Sequence, residues 1–375
     1  MESIPKFIIT GKTPKDRGIS YGSQCRELIN ATIGRYKEWF STGHSSVQWE
    51  TTKKISEGFI GNIEKFAPDL LDELRGIAEG AGVDFLDILT VNSRSEAFTL
   101  VKKEKSEGDR DGCSSALVLP EASANKHTLL AQNWDLYEWV GKGAVVLEII
   151  RDDGPDLLIV TEAGQLARYG VNQAGIALAV NGLHIVKSTE LKGVPSTIIR
   201  RKFLMQDRWI DAINTMFTTE YMVPLYYCGA YAGGDAIGFE ATPEGIMALY
   251  PENGMLIHSN HILHPNWTYQ REGLGGTLYR NRRIEKHLKP LVGNITMEDV
   301  KNAFCDHFGY PQSVCRHGDP RKAELERINT LACVLMDVDE KRLWACKGNP
   351  CCSEFVEYSW TRPEKLASWE DIVRW

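Results

Sequence analysis

At Gly112-Cys113 the chain changes its periodicity, and no other feature constrains the fold as much. Upstream, apolar residues recur at helical spacing, as in Leu70, Leu74, Ile77 and Ala81, behind a Pro68-Asp69 pair suited to a first helical turn. Further helices are expected over 14–40, 46–66 and 84–98, so that residues 13–98 are mainly helical. Downstream, short β-rich runs punctuated by Gly, Pro, Asn and Asp occupy 114–119, 128–134, 144–151, 157–161 and 175–181. A helical stretch over 195–218 gives way to strands near 226–231, 236–241, 245–250 and 255–259. Helices at 276–288 and 297–307 then precede the last strands, near 330–337, 342–346 and 354–359.

Helices followed by many short strands predict an α+β chain in which two sheet layers are faced by helices. There is no internal repeat and no Pro/Gly/Ser linker, so a helical segment 1–112 and a β-rich body 113–375 are expected to share one compact domain. With 43% hydrophobic residues the chain has ample material for a core. A net charge of −7 without a basic stripe opposes a nucleic-acid partner, and no apolar stretch approaches a membrane span. Nine cysteines, an odd number spread over a long chain, suit a reducing compartment. The N-terminus lacks a signal pattern and Val373-Arg374-Trp375 is no peroxisomal address, so the expectation is cytoplasmic, with the sequons at Asn30, Asn266 and Asn294 unused.

The segment 101–112 is too polar to pack and reads as an exposed connector that ends at Cys113. An isolated cysteine is usually a small buried hydrophobe. This one is set apart by the connector, the preceding Gly112 and the following strand-like Ser114-Ser115-Ala116-Leu117-Val118. Glycine before a scissile bond lets the carbonyl take strained dihedrals and admits the thiol. Cutting Gly112-Cys113 would make Cys113 an N-terminus whose α-amine, with an ordinary pKa near 8, serves as base for its own thiol. A hairpin would return Asp135, at the end of Ala131-Gln132-Asn133-Trp134-Asp135, beside that cysteine. There it could hold the ammonium or thiol, or simply be a turn residue.

Neutral donors for an oxyanion are offered by Gly170-Val171-Asn172, by the strand ending Val180-Asn181-Gly182, and by His258-Ser259-Asn260-His261, although Asn at strand ends is also ordinary turn chemistry. Arg316 and Arg327 both precede the late strand, where surface ion pairing is the plain alternative. His184, His258, His261 and His317 carry little weight without geometry. Cys305, His307, Cys315, His317, Cys346, Cys351 and Cys352 raise the question of a metal; the Cys-x4-Cys-Cys spacing lacks a matching second hook, so none is expected. Tyr231-Ala232-Gly233-Gly234-Asp235 has neither phosphate-loop nor dinucleotide spacing.

Taken in order, Asp111-Gly112-Cys113, Gln132-Asn133-Trp134-Asp135, Thr161-Glu162-Ala163-Gly164, Gly193-Val194-Pro195-Ser196 and His258-Ser259-Asn260-His261 resemble the acyl-coenzyme A:6-aminopenicillanic acid acyltransferase family, also called isopenicillin N acyltransferases. Gly11-Lys12-Thr13-Pro14 and the segment 75–81 are similar to its precursor region, so the likeness spans nearly the whole chain. The resemblance implies an N-terminal-nucleophile hydrolase with a four-layer αββα sandwich, related to choloylglycine hydrolases and penicillin V acylases. It implies a precursor that cuts itself at Gly112-Cys113 into an α chain, 1–112, and a β chain, 113–375, that stay associated. By the same likeness Cys113 is the nucleophile, Asp135 holds its amine and thiol, Asn260 donates to the oxyanion, and Asn181, with Ser115 near it, completes that pocket. Arg327 is the first candidate to orient the nucleophile and Arg316 the second. No bound cofactor is implied; acyl-coenzyme A is a possible co-substrate, alongside a small-molecule amide, amine or thioester.

The segments 264–275 and 316–326, and Ala241-Thr242-Pro243 where Ser-Pro is expected, depart from the penicillin-making enzymes and point away from penicillin itself. The expected chemistry is N-acyl transfer or, with water as acceptor, hydrolysis of a β-alanyl-amine or related small amide. The opposing reading is an uncut, non-catalytic binding protein of the same fold with Cys113 merely buried, which the charged connector fits equally.

Overall fold

The computed structural model describes residues 2–42, 47–101, 112–183, 192–266 and 275–362. Residues 102–111 of the connector 101–112, and His184, therefore lie outside the described residues. Upstream of Cys113 the chain runs β1 (Lys6–Ile9), α1 (Pro14–Gln24), α2 (Arg26–Thr42), α3 (Trp49–Glu57), α4 (Ile60–Phe66), α5 (Pro68–Ala81), α6 (Phe85–Asn92) and α7 (Arg94–Val101). Then follow β2 (Ser114–Val118), β3 (Leu129–Tyr137), β4 (Ala144–Ile149), β5 (Leu157–Glu162), β6 (Tyr169–Asn172) and β7 (Ile176–Gly182). Helices α8 (Ser196–Leu204) and α9 (Trp209–Phe217) precede β8 (Leu225–Tyr231), β9 (Asp235–Thr242), β10 (Gly245–Leu249) and β11 (Met255–His258). The chain closes with α10 (Gly275–Leu288), α11 (Met297–Phe304), β12 (Ile328–Asp337), β13 (Arg342–Lys347) and β14 (Val356–Tyr358).

Among the described residues the strands form an eight-stranded sheet, ordered β1-β4-β5-β6-β7-β8-β9-β10, and a six-stranded sheet, ordered β11-β2-β3-β12-β13-β14. The two face each other through β2 and β3 against β7; α8 covers the outer face of the first at β6 and β7, and α10 and α11 that of the second. This is the αββα order of layers. Residues of β2, β4 and β5 are buried along their whole length. A strand covered on both faces reads as a continuous apolar run, which is why these strands were legible. One apolar cluster joins the upstream helices to the inter-sheet core, with Leu70, Val146 and Trp134 all in it; a second, around Ile284 and Phe304, lies under α10 and α11. No described helix is long and apolar enough to cross a membrane.

Three differences from the sequence expectation have local causes. The run expected at 14–40 breaks at Cys25, and 46–66, 84–98 and 195–218 each divide into two helices. Strand β1 was not expected, because four residues carry too little pattern to register; it pairs parallel to β4, so the segment upstream of Cys113 is not purely helical. Strand β6 was also missed: Gly170 lies so close across the sheet that a Cβ there would collide with the Leu158 carbonyl, and turn-like Gly and Asn mask the strand. Helix α1 starts on a capping box, with Thr13 accepting from the Asp16 N–H and Asp16 accepting from Thr13 in return. It lies directly on α5, Gly18 against Gly76 and Gly22 against Gly80, without room for a Cβ at any of the four.

Candidate active site

Cys113 immediately precedes β2, whose Ser114 pairs with Asn133 of β3 in an antiparallel register. That pairing carries the end of β3 past Cys113, as the hairpin expectation required. The thiol, 3% exposed, donates to the Asp135 carbonyl oxygen at 3.7 Å and lies 3.9 Å from the Tyr169 hydroxyl. Asp135 is fully buried, and its Oδ1 accepts from Thr330 Oγ1 at 2.7 Å. Strand β12 shifts register between Thr330 and Ala332, opposite Asp135 and Trp134. A bulge of this kind re-aims side chains, and here it sets Thr330 on the carboxylate.

The same threonine anchors Arg316. The Arg316 N–H donates to Thr330 Oγ1 at 2.9 Å, and the Thr330 N–H donates back to the Arg316 carbonyl at 2.9 Å. Its guanidinium lies against Gly112: a Cβ there would collide with Arg316 Nη1 and come within 3.1 Å of Asp135 Oδ2. Gly112 thus occupies a slot between an arginine and a carboxylate, which a Cβ could enter only by pushing the guanidinium aside. Arg327 sits elsewhere, at the end of a short turn, with its Nε donating to the Lys322 carbonyl at 3.1 Å.

Arg280, in α10, is the residue the sequence reading missed. Its Nη1 donates to the Gly112 carbonyl, to the Cys113 carbonyl at 2.7 Å and to Ser114 Oγ at 3.0 Å, while Nη2 donates to Asn260 Oδ1 at 2.5 Å. Burial pulls its pKa down to about 10, opposed by the charge of Asp135, so it stays cationic at neutral pH. The sequence does hold a faint signal for it. Of the three arginines in the run Tyr279-Arg280-Asn281-Arg282-Arg283, only Arg280 falls on the face of Thr277, Asn281 and Ile284, which the helix buries.

Asn260 is held on three sides, its N–H donating to Thr277 Oγ1 at 2.8 Å and its Nδ2 to the Gly182 carbonyl at 2.9 Å, with Oδ1 on Arg280. Asn181 donates through Nδ2 to Ser115 Oγ and to the His258 carbonyl, each at 3.0 Å, and accepts from Gln132 Nε2 at 3.0 Å. The structure therefore gathers Cys113, Ser115, Asp135, Asn181, Asn260 and Arg316 around the layer between the sheets. His258 is tied away from the thiol: it stacks on Tyr226 at 3.8 Å between ring centroids, with Nε2 on Glu240 Oε1 at 2.8 Å. His261 bonds Thr277 Oγ1 at 2.9 Å, and burial first, then the charges of His258 and Arg280, pull its pKa down to about 4. Asn172 serves the scaffold, donating to the Leu204 carbonyl at 2.8 Å.

One residue past Asp135 and one past Asn181, Leu136 and Gly182 line a cavity of about 110 Å³. Its other walls include Tyr36, Trp39 and Phe98 from the upstream helices and Tyr137, Trp139 and Leu183 from the body. Arg94 lies over the Tyr36 ring at 5.3 Å and faces the buried Glu162 at 3.7 Å.

The profile of the family described as acyl-coenzyme A:6-aminopenicillanic acid acyl-transferase matches residues 122–351, a stretch that begins downstream of Cys113 and includes Asp135, Asn181, Asn260, Arg280 and Arg316. The acyl-coenzyme A:6-aminopenicillanic-acid-acyltransferase 40 kDa form of Emericella nidulans is 27% identical over 346 residues, which cover 90% of this chain and 91% of that one. Among solved structures, the Caenorhabditis elegans N-acylethanolamine-hydrolyzing acid amidase ortholog aligns with a TM-score of 0.45 at 14% identity, over 60% of this chain and 93% of that chain. A mutant conjugated bile acid hydrolase from Clostridium perfringens aligns with a TM-score of 0.45 at 11% identity, over 66% and 97% of the two chains.

Proposed function

The chain belongs to the acyl-coenzyme A:6-aminopenicillanic acid acyl-transferase family, and on that premise we propose that it is a self-processing enzyme with an N-terminal cysteine nucleophile, which transfers or hydrolyses the acyl group of a small-molecule amide or thioester. The observation that carries this reading is the grip of Arg280 on the Gly112 carbonyl, one peptide bond from the buried Cys113 thiol.

In the first step Cys113 Sγ adds to the Gly112 carbonyl carbon. The carbonyl oxygen becomes an oxyanion, and a cation already donating to it stabilises that charge without reorganising. The C–N bond then breaks, the nitrogen takes up a proton and becomes the Cys113 α-amine, and Gly112 remains as a thioester on Sγ. Water cleaves the thioester, releasing the Gly112 carboxylate and the thiol. The products are an α chain of 1–112 and a β chain of 113–375, which stay joined through the β1–β4 pairing and the common core.

In turnover the freed α-amine accepts the thiol proton, and the thiolate attacks the substrate carbonyl to give acyl-Cys113. Asp135 and Arg316 position the amine and the sulfur; Arg316 takes this role rather than Arg327 because its guanidinium lies on Gly112. Asn260 supplies a neutral donor to the substrate oxyanion, and Asn181, whose Nδ2 hydrogens go to Ser115 and the His258 carbonyl, holds that wall of the pocket in place. An amine resolving acyl-Cys113 yields an N-acylated product, and water yields the acid. The aromatic cavity beside Asp135 and Asn181 supports an apolar acyl group, with acyl-coenzyme A as a donor co-substrate.

Intact-mass analysis tests the reading. The wild-type chain should resolve into 1–112 and 113–375, and Cys113→Ala should remain one chain. A single 375-residue species whose Cys113 resists thiol reagents would overturn it. Incubating acyl-coenzyme A with a panel of amines, against simple acyl-amides, then assigns the acceptor: coenzyme A released only with amine present marks transfer.

A further inference from the structure

We propose that the chain carries a structural zinc site formed by His307, Cys315, His317 and Cys351, apart from the catalytic cysteine. The ligand atoms of these four residues all lie within 4.8 Å of one another. The two sulfurs are 3.5 Å apart, the His307 and His317 Nε2 atoms 3.1 Å apart, and His317 Nε2 lies 3.6 Å from Cys315 Sγ and 3.7 Å from Cys351 Sγ. Zinc bound to two thiolates and two imidazoles in a tetrahedron would space sulfurs by about 3.8 Å, sulfur and nitrogen by about 3.6 Å, and nitrogens by about 3.3 Å. These four edges lie within about 0.3 Å of that polyhedron, the sulfur–sulfur edge being the one most shortened.

The sequence offered no second hook to Cys351-Cys352 because the hook comes from a separate loop, as the pair Cys315-x-His317 with His307. Cys352 turns away, its thiol donating to the Asn349 carbonyl at 3.7 Å. The donor set is soft sulfur with borderline nitrogen, which suits zinc over calcium or magnesium. Four protein ligands leave no open position, so the role is structural. Binding displaces two thiol protons and changes no oxidation state.

The place of the site gives it a purpose. Arg316 lies between two of the ligands, and its carbonyl accepts from Asn349 Nδ2 at 2.7 Å, which also donates to Cys315 Sγ at 3.6 Å. An ion here would clamp the loop that sets the Arg316 guanidinium against Gly112, joining two loops otherwise linked only by hydrogen bonds and packing.

Metal content decides the matter, and it is read without turnover, so the result is independent of whether Cys113 is the nucleophile. The full chain, purified in reducing buffer without chelator and analysed by plasma mass spectrometry, should hold close to one zinc per chain. Cobalt(II) added to metal-stripped protein should give the strong visible absorption of a tetrahedral thiolate site. Cys351→Ser, at an exposed ligand, should lower zinc content roughly tenfold, while Cys352→Ser retains it. Three results would overturn the site: a wild-type chain that takes up neither zinc nor cobalt, a Cys315–Cys351 disulfide in the chain as purified, or equal zinc in Cys351→Ser and the wild type.

Discussion

Arg280, 168 residues further along the chain, donates from a buried position to the carbonyl oxygen of Gly112. A buried guanidinium needs its donors satisfied, and this one spends them on the bond before Cys113 and on Asn260. In the proposed scheme this cation stabilises the oxyanion of processing and, in turnover, holds Asn260 in place.

Replacing Arg280 with Gln should slow precursor cleavage by roughly 10² to 10³-fold, the usual loss when one oxyanion donor goes. Arg280→Lys keeps the charge but cannot reach Gly112 and Asn260 together, so it should recover only part of the rate. Precursor and products followed by intact mass after synthesis give the rates. Maturation of Arg280→Gln at the wild-type rate would remove Arg280 from the chemistry.

Gly112→Ala places a methyl group on Arg316 Nη1. That atom is the far end of a long side chain, so the fold should survive while the guanidinium moves off the scissile bond. Uncut precursor should accumulate, with a melting temperature within about 4 °C of that of Cys113→Ala, since little stability is at stake. Rapid cutting of Gly112→Ala would show that the slot between Arg316 and Asp135 has no part in positioning.

His261 ties acid stability to the site. Its pKa is about 4 in the folded chain against an ordinary 6.5, so above pH 6.5 both states are neutral there and the histidine adds no pH dependence. Below 6.5 the unfolded chain gains a proton that the folded chain refuses, and stability falls as pH drops toward 4, by at most about 1.4 kcal/mol per unit and less because the ring is partly exposed. Urea unfolding at pH 5 and pH 7 should show a smaller acid loss for His261→Asn than for the wild type; identical losses would contradict the assignment.

Gly76→Ala drives a methyl group into the Lys15 carbonyl where α1 lies on α5. The obstacle is backbone, which cannot swing aside, so a loss of about 1 to 3 kcal/mol is expected in denaturant titrations. Gly34→Ala, in open space on α2, should raise stability slightly.

Trp139→Ala enlarges the aromatic cavity. The ratio of kcat/KM for long against short acyl donors should rise several-fold, because a methylene that fits is worth about 1 kcal/mol in such a pocket. An unchanged ratio would place the acyl group elsewhere.

Much of this was legible because it is local. Cys113 and Asp135 meet across one hairpin, and two-sided burial of β2, β4 and β5 wrote apolar runs into the sequence. Asn181 and Asn260 stand at strand ends, where their motifs are conspicuous. Arg280 was hidden because Arg282 and Arg283 make its neighbourhood look like a solvated face, and its buried stripe appears only once α10 is phased. Thr330 depends on a bulge, and the cluster around His317 depends on two loops meeting; neither has a period or a spacing to read.

Strand β1 has a last consequence. It borders the eight-stranded sheet, with the upstream helices sharing the core behind it, so the part before Gly112 is built into the body. While the chain is continuous, that docking is an intramolecular closure; after the cut, rebuilding it from unfolded pieces becomes a bimolecular encounter. In the proposed scheme, then, folding comes first and cutting second. The matured protein is then preserved by the height of its unfolding barrier: diluted out of denaturant, it should recover far less completely than the uncut Cys113→Ala chain, and recovery should rise with protein concentration.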